Sequence, residues 1–477
     1  MYKRQAQHNL EYRLITKDDE IIWVSGKSRT FFNENGEPFM LIGCICEIGK
    51  HNKYDNITSL YCEDVLKERY ALAKIAEPQP VTGTILLIGI DNFREINEKY
   101  GTKMGNILLA GVAEAIAVCC KDRENVFRFH GDEFAVILKE QPSCTTADAK
   151  KLYKTIRRKI DSSIEKNGYH MFFTISGGAA SFNTQEDSYE DVLKNAKFAL
   201  HVSKLNGKNT FTPYSEDEYL SYIRRIDIQE ELRKCVENDF KGFEVYYQPI
   251  MKPQTNTLYG SEALIRWHSE KYGFMSPVDF VPLLEESALI IPLGKWIIEN
   301  AVRQCKAWVS VYPDFIMNIN LSFVQIIKSD ILKDAVELLE QYELSAEHVV
   351  FEVTESGELE NNTAVKHVLN SFNNKSLNLA IDDFGTGYSN LRYIRDMMFG
   401  IIKIDRLFIK DINESSQNYT LVKYVTEMAH NFNIKVCVEG VETQEEYDKV
   451  MTLKPDCIQG FFYGKPMNAG NFAASYI

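Results

Sequence analysis

Two aspartates stand side by side at the end of an apolar run, Leu379-Ala380-Ile381-Asp382-Asp383-Phe384-Gly385. Unpaired buried carboxylates cost several kcal/mol each, so such a run requires a cation beside it or water reaching in. The pattern of apolar run, polar group and turn recurs through the C-terminal half. The run ends are Gln248, Glu262, Asn320, Glu352, Asp382, Asp383, Lys403, Glu439 and Gln459. Apart from one lysine these are oxygen or amide groups, with no His or Cys among them. Hard oxygen donors suit Mg²⁺ or Mn²⁺ rather than zinc or copper. Adjacent aspartates offer one shared and one private ligand to a pair of ions. Two ions about 3.5–4 Å apart are the machinery of in-line phosphoryl chemistry. Any one of these acids alone reads as a solvated strand end or an ion pair; their recurrence carries the argument.

The elements that must position these groups are eight apolar strand candidates: 245–250, 260–267, 315–321, 349–353, 377–381, 401–404, 434–438 and 457–462. Helix-patterned segments lie between most of them. Eight strands with helices over about 240 residues predict a (β/α)₈ TIM-like barrel, whose sites lie at the C-terminal ends of the strands. Upstream, residues 51–213 alternate strands and helices as an α/β domain. In it 126–129 and 134–138 flank the turn His130-Gly131-Asp132-Glu133 as a hairpin. Residues 1–50 read as three short antiparallel strands, 11–16, 21–32 and 39–48. A polar helix, 216–237, occupies a linker at 214–240, and the barrel domain runs from 241 to 477.

The 477 residues carry a net charge of −13. With no basic run to neutralise phosphates, duplex nucleic acid is excluded as a partner; an anionic small ligand remains open if metal ions mediate. No apolar stretch approaches the ~18–20 residues of a membrane span, and no secretory h-region follows Met1. The expectation is a cytoplasmic protein without a membrane segment. The ten cysteines are scattered without a CxxC, which reads as free thiols in a reducing compartment.

Ser261-Glu262-Ala263-Leu264-Ile265-Arg266-Trp267 resembles the signature of EAL-domain cyclic di-GMP phosphodiesterases. So do Tyr247-Gln248-Pro249, Asn320-Leu321-Ser322, Glu352-Val353-Thr354-Glu355, Asp382-Asp383-Phe384-Gly385-Thr386-Gly387-Tyr388-Ser389, Lys403-Ile404-Asp405, Glu439-Gly440-Val441-Glu442 and Gln459-Gly460. The resemblance implies that Glu262, Asn320, Glu352 and Asp382 hold one ion, and that Asp382 and Asp383, with Glu439, serve a second. Lys403 would touch the attacking water, its pKa pushed down by two nearby cations. Gln248, Arg266 and Gln459 would orient the dinucleotide, with Arg266 on a phosphate. Glu355 would brace the 383–389 loop, and Glu442 belongs to the same substrate-binding region. Val438 and Asn390 depart mildly from the family pattern and remove no ligand. The implied activity is hydrolysis of cyclic di-GMP to linear pGpG; the alternative is a receptor that binds the dinucleotide without cutting it and signals to a partner. The family also implies a homodimer.

Arg128-Phe129-His130-Gly131-Asp132-Glu133-Phe134 resembles the GGDEF hairpin of diguanylate cyclases, as do Ile90-Asp91-Asn92-Phe93-Arg94, Ile96-Asn97, Tyr100-Gly101 and Gly207-Lys208-Asn209. Here the chain departs from its family. Gly89 stands where the first metal carboxylate belongs, Asn106 replaces a guanine-binding aspartate, and His130 replaces the first hairpin glycine. Lys121-Asp122-Arg123-Glu124 departs from the inhibitory Arg-x-x-Asp motif. Asn97, Asp132, Glu133, Lys204 and Lys208 remain as groups that could hold GTP. The expectation is a cyclase-type domain without cyclase chemistry, which disfavours a bifunctional cyclase and phosphodiesterase. The N-terminal strands, Glu11-Tyr12-Arg13-Leu14-Ile15 onward, resemble the last strands of a PAS domain whose pocket-forming half is absent. A short sheet capping the next domain is the plainer reading.

Overall fold

The computed structural model describes residues 6–15, 21–32, 38–47, 53–76, 80–120, 122–139, 144–166, 172–355, 362–385 and 399–477. The chain divides into two compact units, Met1–Tyr222 and Ile223–Ile477. The boundary falls inside the continuous helix Glu216–Glu237.

The first unit holds two sheets. Strands β1 (Ala6–Ile15), β2 (Ile21–Phe32) and β3 (Pro38–Glu47) form an antiparallel sheet in that order. The second sheet contains β4 (Tyr61–Cys62), β5 (Thr82–Ile90), β6 (Val126–Arg128), β7 (Glu133–Leu138), β8 (Ile175–Asn183) and β9 (Phe211–Pro213). Its order is β4-β6-β7-β5-β8-β9. Strand β5 is buried along nearly its whole length because both faces are covered. Leu86, Ile88 and Ile90 pack with Val112 and Ile116 on one side, while Ile85 and Leu87 pack with Leu66 and Val192 on the other. This is the period-two alternation of a central strand. The helix Thr102–Cys119 is long and apolar enough to cross a membrane, contrary to the expectation that no segment approaches that length. Its Leu108, Leu109, Val112 and Ile116 are spent on the sheet core. The apolar run 170–178 reads as a strand; in the structure β8 begins at Ile175, and residues 170 and 171 lie outside the described ones.

The second unit is the barrel. Its strands are β10 (Phe243–Lys252), β11 (Thr257–Ser269), β12 (Gly273–Met275), β13 (Ile316–Asn320), β14 (Val349–Thr354), β15 (Asn378–Phe384), β16 (Ile401–Ile404), β17 (Lys435–Val438) and β18 (Cys457–Gln459). Strands β11, β13, β14, β15, β16, β17 and β18 run parallel, and β12 extends β11 as a hairpin. Strand β10 closes the ring by pairing with both β11 and β18, and it is antiparallel to each. The fold is therefore a barrel with one reversed strand. An apolar run does not encode its own direction, so the sequence pattern could not show the reversal.

Alternation along the strands builds the interior in two layers. Ile250, Val350, Ala380, Ile401, Cys437 and Cys457 form one apolar layer with Tyr259. Two residues away on each strand, and so on the same face, stand Gln248, Glu352, Asp382, Lys403, Glu439 and Gln459. Tyr259 joins the apolar layer because a bulge lies between the Ile250–Gly260 and Met251–Leu258 pairs, which turns an extra residue inward.

Candidate active site

The polar layer is centred on Lys403. Its side chain is 1% exposed, and Nζ lies 2.6 Å from Glu439 Oε1, 2.8 Å from Glu352 Oε2, and 3.4 Å from both Glu262 Oε2 and Asp382 Oδ1. Amides complete the ring. Asn320 Nδ2 donates to Glu262 Oε1 and Asn318 Nδ2 to Glu352 Oε1, both at 2.6 Å. Gln459 Nε2 donates to Glu262 Oε2 at 2.6 Å and to Gln248 Oε1 at 3.1 Å, and Gln248 Nε2 donates to Gly464 O. The two glutamines are thus tied to Glu262.

Adjacent residues of a regular strand point to opposite faces, so Asp382 and Asp383 should not share a site. The β15–β16 register breaks between Ile381 and Phe384, and Asp383 has φ 53°. The bulge and the left-handed residue bring both carboxylates to one side. Two groups of acids result: Glu262, Glu352 and Asp382, and Asp382, Asp383 and Glu439. Within each group one oxygen per residue lies within 4.8 Å of the others. Asp382 belongs to both.

Crowding of buried acids sets their titration. Burial, opposed by the charge of Lys403, leaves Glu352 and Glu439 well above the usual carboxylate range and Asp382 raised. Burial, Asp382 and a hydrogen bond with Asp405 push Asp383 up to about 7. Glu262 is the exception. Burial pushes it up, but Lys403, Gln459 and Asn320 together outweigh that and lower it. Burial works against the Lys403 ammonium, yet the four surrounding carboxylates hold it well above the ordinary lysine value. That direction is opposite to the one expected beside two cations, because carboxylates are its neighbours here.

The donor set fits divalent cations. Asp382 Oδ1 and Glu439 Oε1 are buried and meet Lys403 only as ion pairs, accepting no aligned hydrogen bond; Gln459 Oε1 is likewise buried without a donor. Oxygens without donors, in groups drawn from carboxylates alone, suit a hard divalent cation.

The remaining expected residues divide. Glu355 Oε2 accepts the Gly385 backbone N–H at 2.5 Å, at the start of the 383–389 loop, whose residues 386–389 lie outside the described ones. Arg266 is half-buried on the face of β11 that carries Glu262, over the Tyr246 ring and donating to Ile265 O. Glu442 is exposed and not among the carboxylates around Lys403; its backbone N–H is bound by Glu446. Two contributors had no role in the sequence reading. Asn318 sits two residues before Asn320 on the same strand face, a signal that was available. Asp405 closes the Lys403-Ile404-Asp405 motif and reaches Asp383.

In the first unit, Gly89 pairs with Glu133 across β5 and β7. A Cβ at Gly89 would lie 3.0 Å from Lys204 Nζ and 3.6 Å from Asp132 Oδ2, and Lys204 and Asp132 are themselves 3.6 Å apart. Burial raises Glu133, with Lys204 opposing. Lys208 Nζ donates to Asn92 Oδ1 at 2.6 Å, and Asn97 Oδ1 faces Gly105 without a hydrogen-bond partner. Asp91, two residues after Gly89 in the Ile90-Asp91-Asn92-Phe93-Arg94 motif, is committed to structural bonds. It accepts from Thr174 Oγ1 at 2.6 Å, Ser176 Oγ at 2.7 Å and the Asn209 N–H at 3.0 Å. Among the described residues, the carboxylate groups able to surround an ion lie in the barrel alone. Arg128, buried under the hairpin, donates to the carbonyls of Phe129, Gly131 and Glu133, while His130 is exposed.

Comparison with known proteins follows the same division. The EAL domain family model matches residues 229–466, and the diguanylate cyclase GGDEF domain model matches 52–210. The bifunctional diguanylate cyclase/cyclic di-GMP phosphodiesterase MucR of Pseudomonas aeruginosa is 28% identical over 88% of this chain and 61% of its own length. The cyclic di-GMP phosphodiesterase PdeR of Escherichia coli is 29% identical over 82% of this chain and 58% of its own. The chain therefore spans less than two thirds of either relative. Among solved structures, the EAL enzyme Bd1971 in its cAMP-bound form is 29% identical with a TM-score of 0.51, covering 62% of this chain and 79% of that one. Both domain models, in tandem and in this order, fall on the two regions whose strands carry the motifs, and the chain is a member of the GGDEF–EAL family.

Proposed function

We propose that the barrel hydrolyses cyclic di-GMP to linear pGpG and that the first unit is a regulatory GTP-binding domain without cyclase activity. The observation that carries the first reading is the pair of carboxylate groups sharing Asp382 around Lys403. Glu262, Asn320, Glu352 and Asp382 would hold one ion, and Asp382, Asp383 and Glu439 a second. Bound there, the pair would supply positive charge to the phosphodiester and make water a nucleophile near neutral pH.

The chain's own groups do the rest. Gln459 and Gln248 fix Glu262 and present amide edges to the dinucleotide, and Arg266 contributes a guanidinium to a phosphate. Lys403 orients the attacking water. Glu355 sets the first turn of the loop after Asp383 by holding the Gly385 N–H. The buried apolar layer beneath closes the interior from below and raises the electrostatic leverage of every charge above it. A receptor that only bound the dinucleotide would have no use for Lys403, Asp383 and Glu439 in this arrangement.

For the first unit, the support is Gly89 with Lys204 beside it and Asp91 spent on three structural hydrogen bonds. Losing a carboxylate from a two-metal site leaves groups unable to place both ions. Lys204, Lys208, Asp132, Glu133 and Asn97 remain for a nucleotide.

The test is to incubate the chain with cyclic di-GMP and, separately, with GTP, each with Mg²⁺ or Mn²⁺, and to resolve the products. The expected result is pGpG from the first and no cyclic dinucleotide from the second. A Glu262→Ala protein that cut at the wild-type rate would refute the barrel assignment. Calorimetry showing no GTP binding, with hydrolysis indifferent to GTP, would leave the first unit a scaffold.

A further inference from the structure

Four carboxylates converge on one ammonium. Lys403 and Glu352 are essentially unexposed, and Glu262 and Asp382 are buried. Ile401, Val350, Ala380, Cys437 and Cys457 seal the layer below. Arg266, on the same face of β11 as Glu262, is turned to the Ile265 carbonyl. Buried carboxylates that stay ionised are stabilised by an internal counter-charge. The atoms that meet Lys403, Asp382 Oδ1 and Glu439 Oε1 among them, belong to the residues of the two ion-binding groups. A divalent ion among the same oxygens would face the ammonium at close range, where like charges repel.

We propose that Lys403 is the cluster's resident counter-ion: with no divalent ion bound it holds Glu262, Glu352, Asp382 and Glu439 together, and a divalent ion enters by displacing it. Four carboxyl groups face a single ammonium, and a divalent ion brings twice its charge to the same oxygens. The flexible four-carbon stem lets the ammonium withdraw toward the reacting water. Lys403 thus has two stations, one that keeps the empty barrel folded and one that serves the chemistry. The proposal rests on the metal-site reading of these acids.

The experiment compares the full chain with its Lys403→Met variant, which keeps length and removes charge. Thermal unfolding is followed in EDTA and in saturating Mn²⁺, and Mn²⁺ binding is measured by calorimetry. In EDTA the variant should melt about 5 °C or more below wild type, with the deficit closing in Mn²⁺. Mn²⁺ should bind the variant about tenfold more tightly, because no resident cation must leave. An unchanged melting temperature in EDTA, or an unchanged affinity, overturns the proposal. If the variant is obtained only with Mn²⁺ present, EDTA is added to both loaded proteins. Unfolding of the variant alone supports the proposal, and identical behaviour of the two overturns it. Absence of Mn²⁺ binding to wild type would instead overturn the metal-site reading itself, so the two failures are told apart.

Discussion

Both units carry acids at the ends of central strands, yet they use them in opposite ways. Asp91, beyond β5, is surrounded by donors: two hydroxyls and a backbone N–H consume its oxygens. Asp382, in β15, keeps an oxygen that accepts no hydrogen bond and points at a shared ammonium. An acid whose lone pairs are spent is part of the scaffold, and an acid whose lone pairs are held back is available to an ion. The number of carboxylates near a strand end therefore says little about chemistry until their partners are counted.

The comparison is broken most directly at Glu262. Replacing it with Ala should lower pGpG formation by about 10²–10³-fold, read by product chromatography, with the far-UV dichroism spectrum unchanged. Next, Asp91→Ala should destabilise the first unit by about 3 kcal/mol, because it removes a charged acceptor from three donors. Urea unfolding followed by a probe in that unit would measure this, and pGpG formation should stay within about twofold of wild type. The same change at Asp382 should abolish hydrolysis while costing no stability, since it relieves a crowded cluster. A smaller effect is expected from Gln459→Leu, which frees Glu262 from its amide brace: about a tenfold fall in Mn²⁺ affinity by calorimetry. The smallest is none at all. Gly89→Asp should yield no cyclic dinucleotide from GTP, because its Cβ would meet Lys204 and Asp91 is already committed. Any cyclase activity there would erase the contrast between the units.

Much of the site was legible in the sequence because a buried strand ending on charge is costly and so conspicuous. Glu352, Asp382, Lys403, Glu439 and Gln459 announce themselves in that way, and the strands that bear them follow from apolar runs. What was not legible is geometric. The alternation rule alone would have separated Asp382 from Asp383; the bulge that unites them involves a positive φ at a non-glycine residue, and no local pattern marks it. Asp91 is an acid at a strand end like Asp382, but its partners, Thr174, Ser176 and the Asn209 backbone, lie more than eighty residues away. Glu442 follows a motif glycine yet stays exposed, because the chain turns into the helix Gln444–Met451 immediately after it.

The reversed strand β10 has a consequence for how the barrel is driven. In a ring of parallel strands the first one begins at the end away from the chemistry. Here Phe243, the first residue of β10, pairs with Trp267, five residues past Glu262 along β11, or about 17 Å beyond it toward the rim. The polypeptide therefore enters the barrel at its working end. The last turns of the helix Glu216–Glu237 place Ile228 and Leu232 in one apolar cluster with Trp267 and Phe280 at that rim. A mechanical input arriving along this helix would act on the mouth of the site before it reached the base, and β10 would carry it straight down to Gln248.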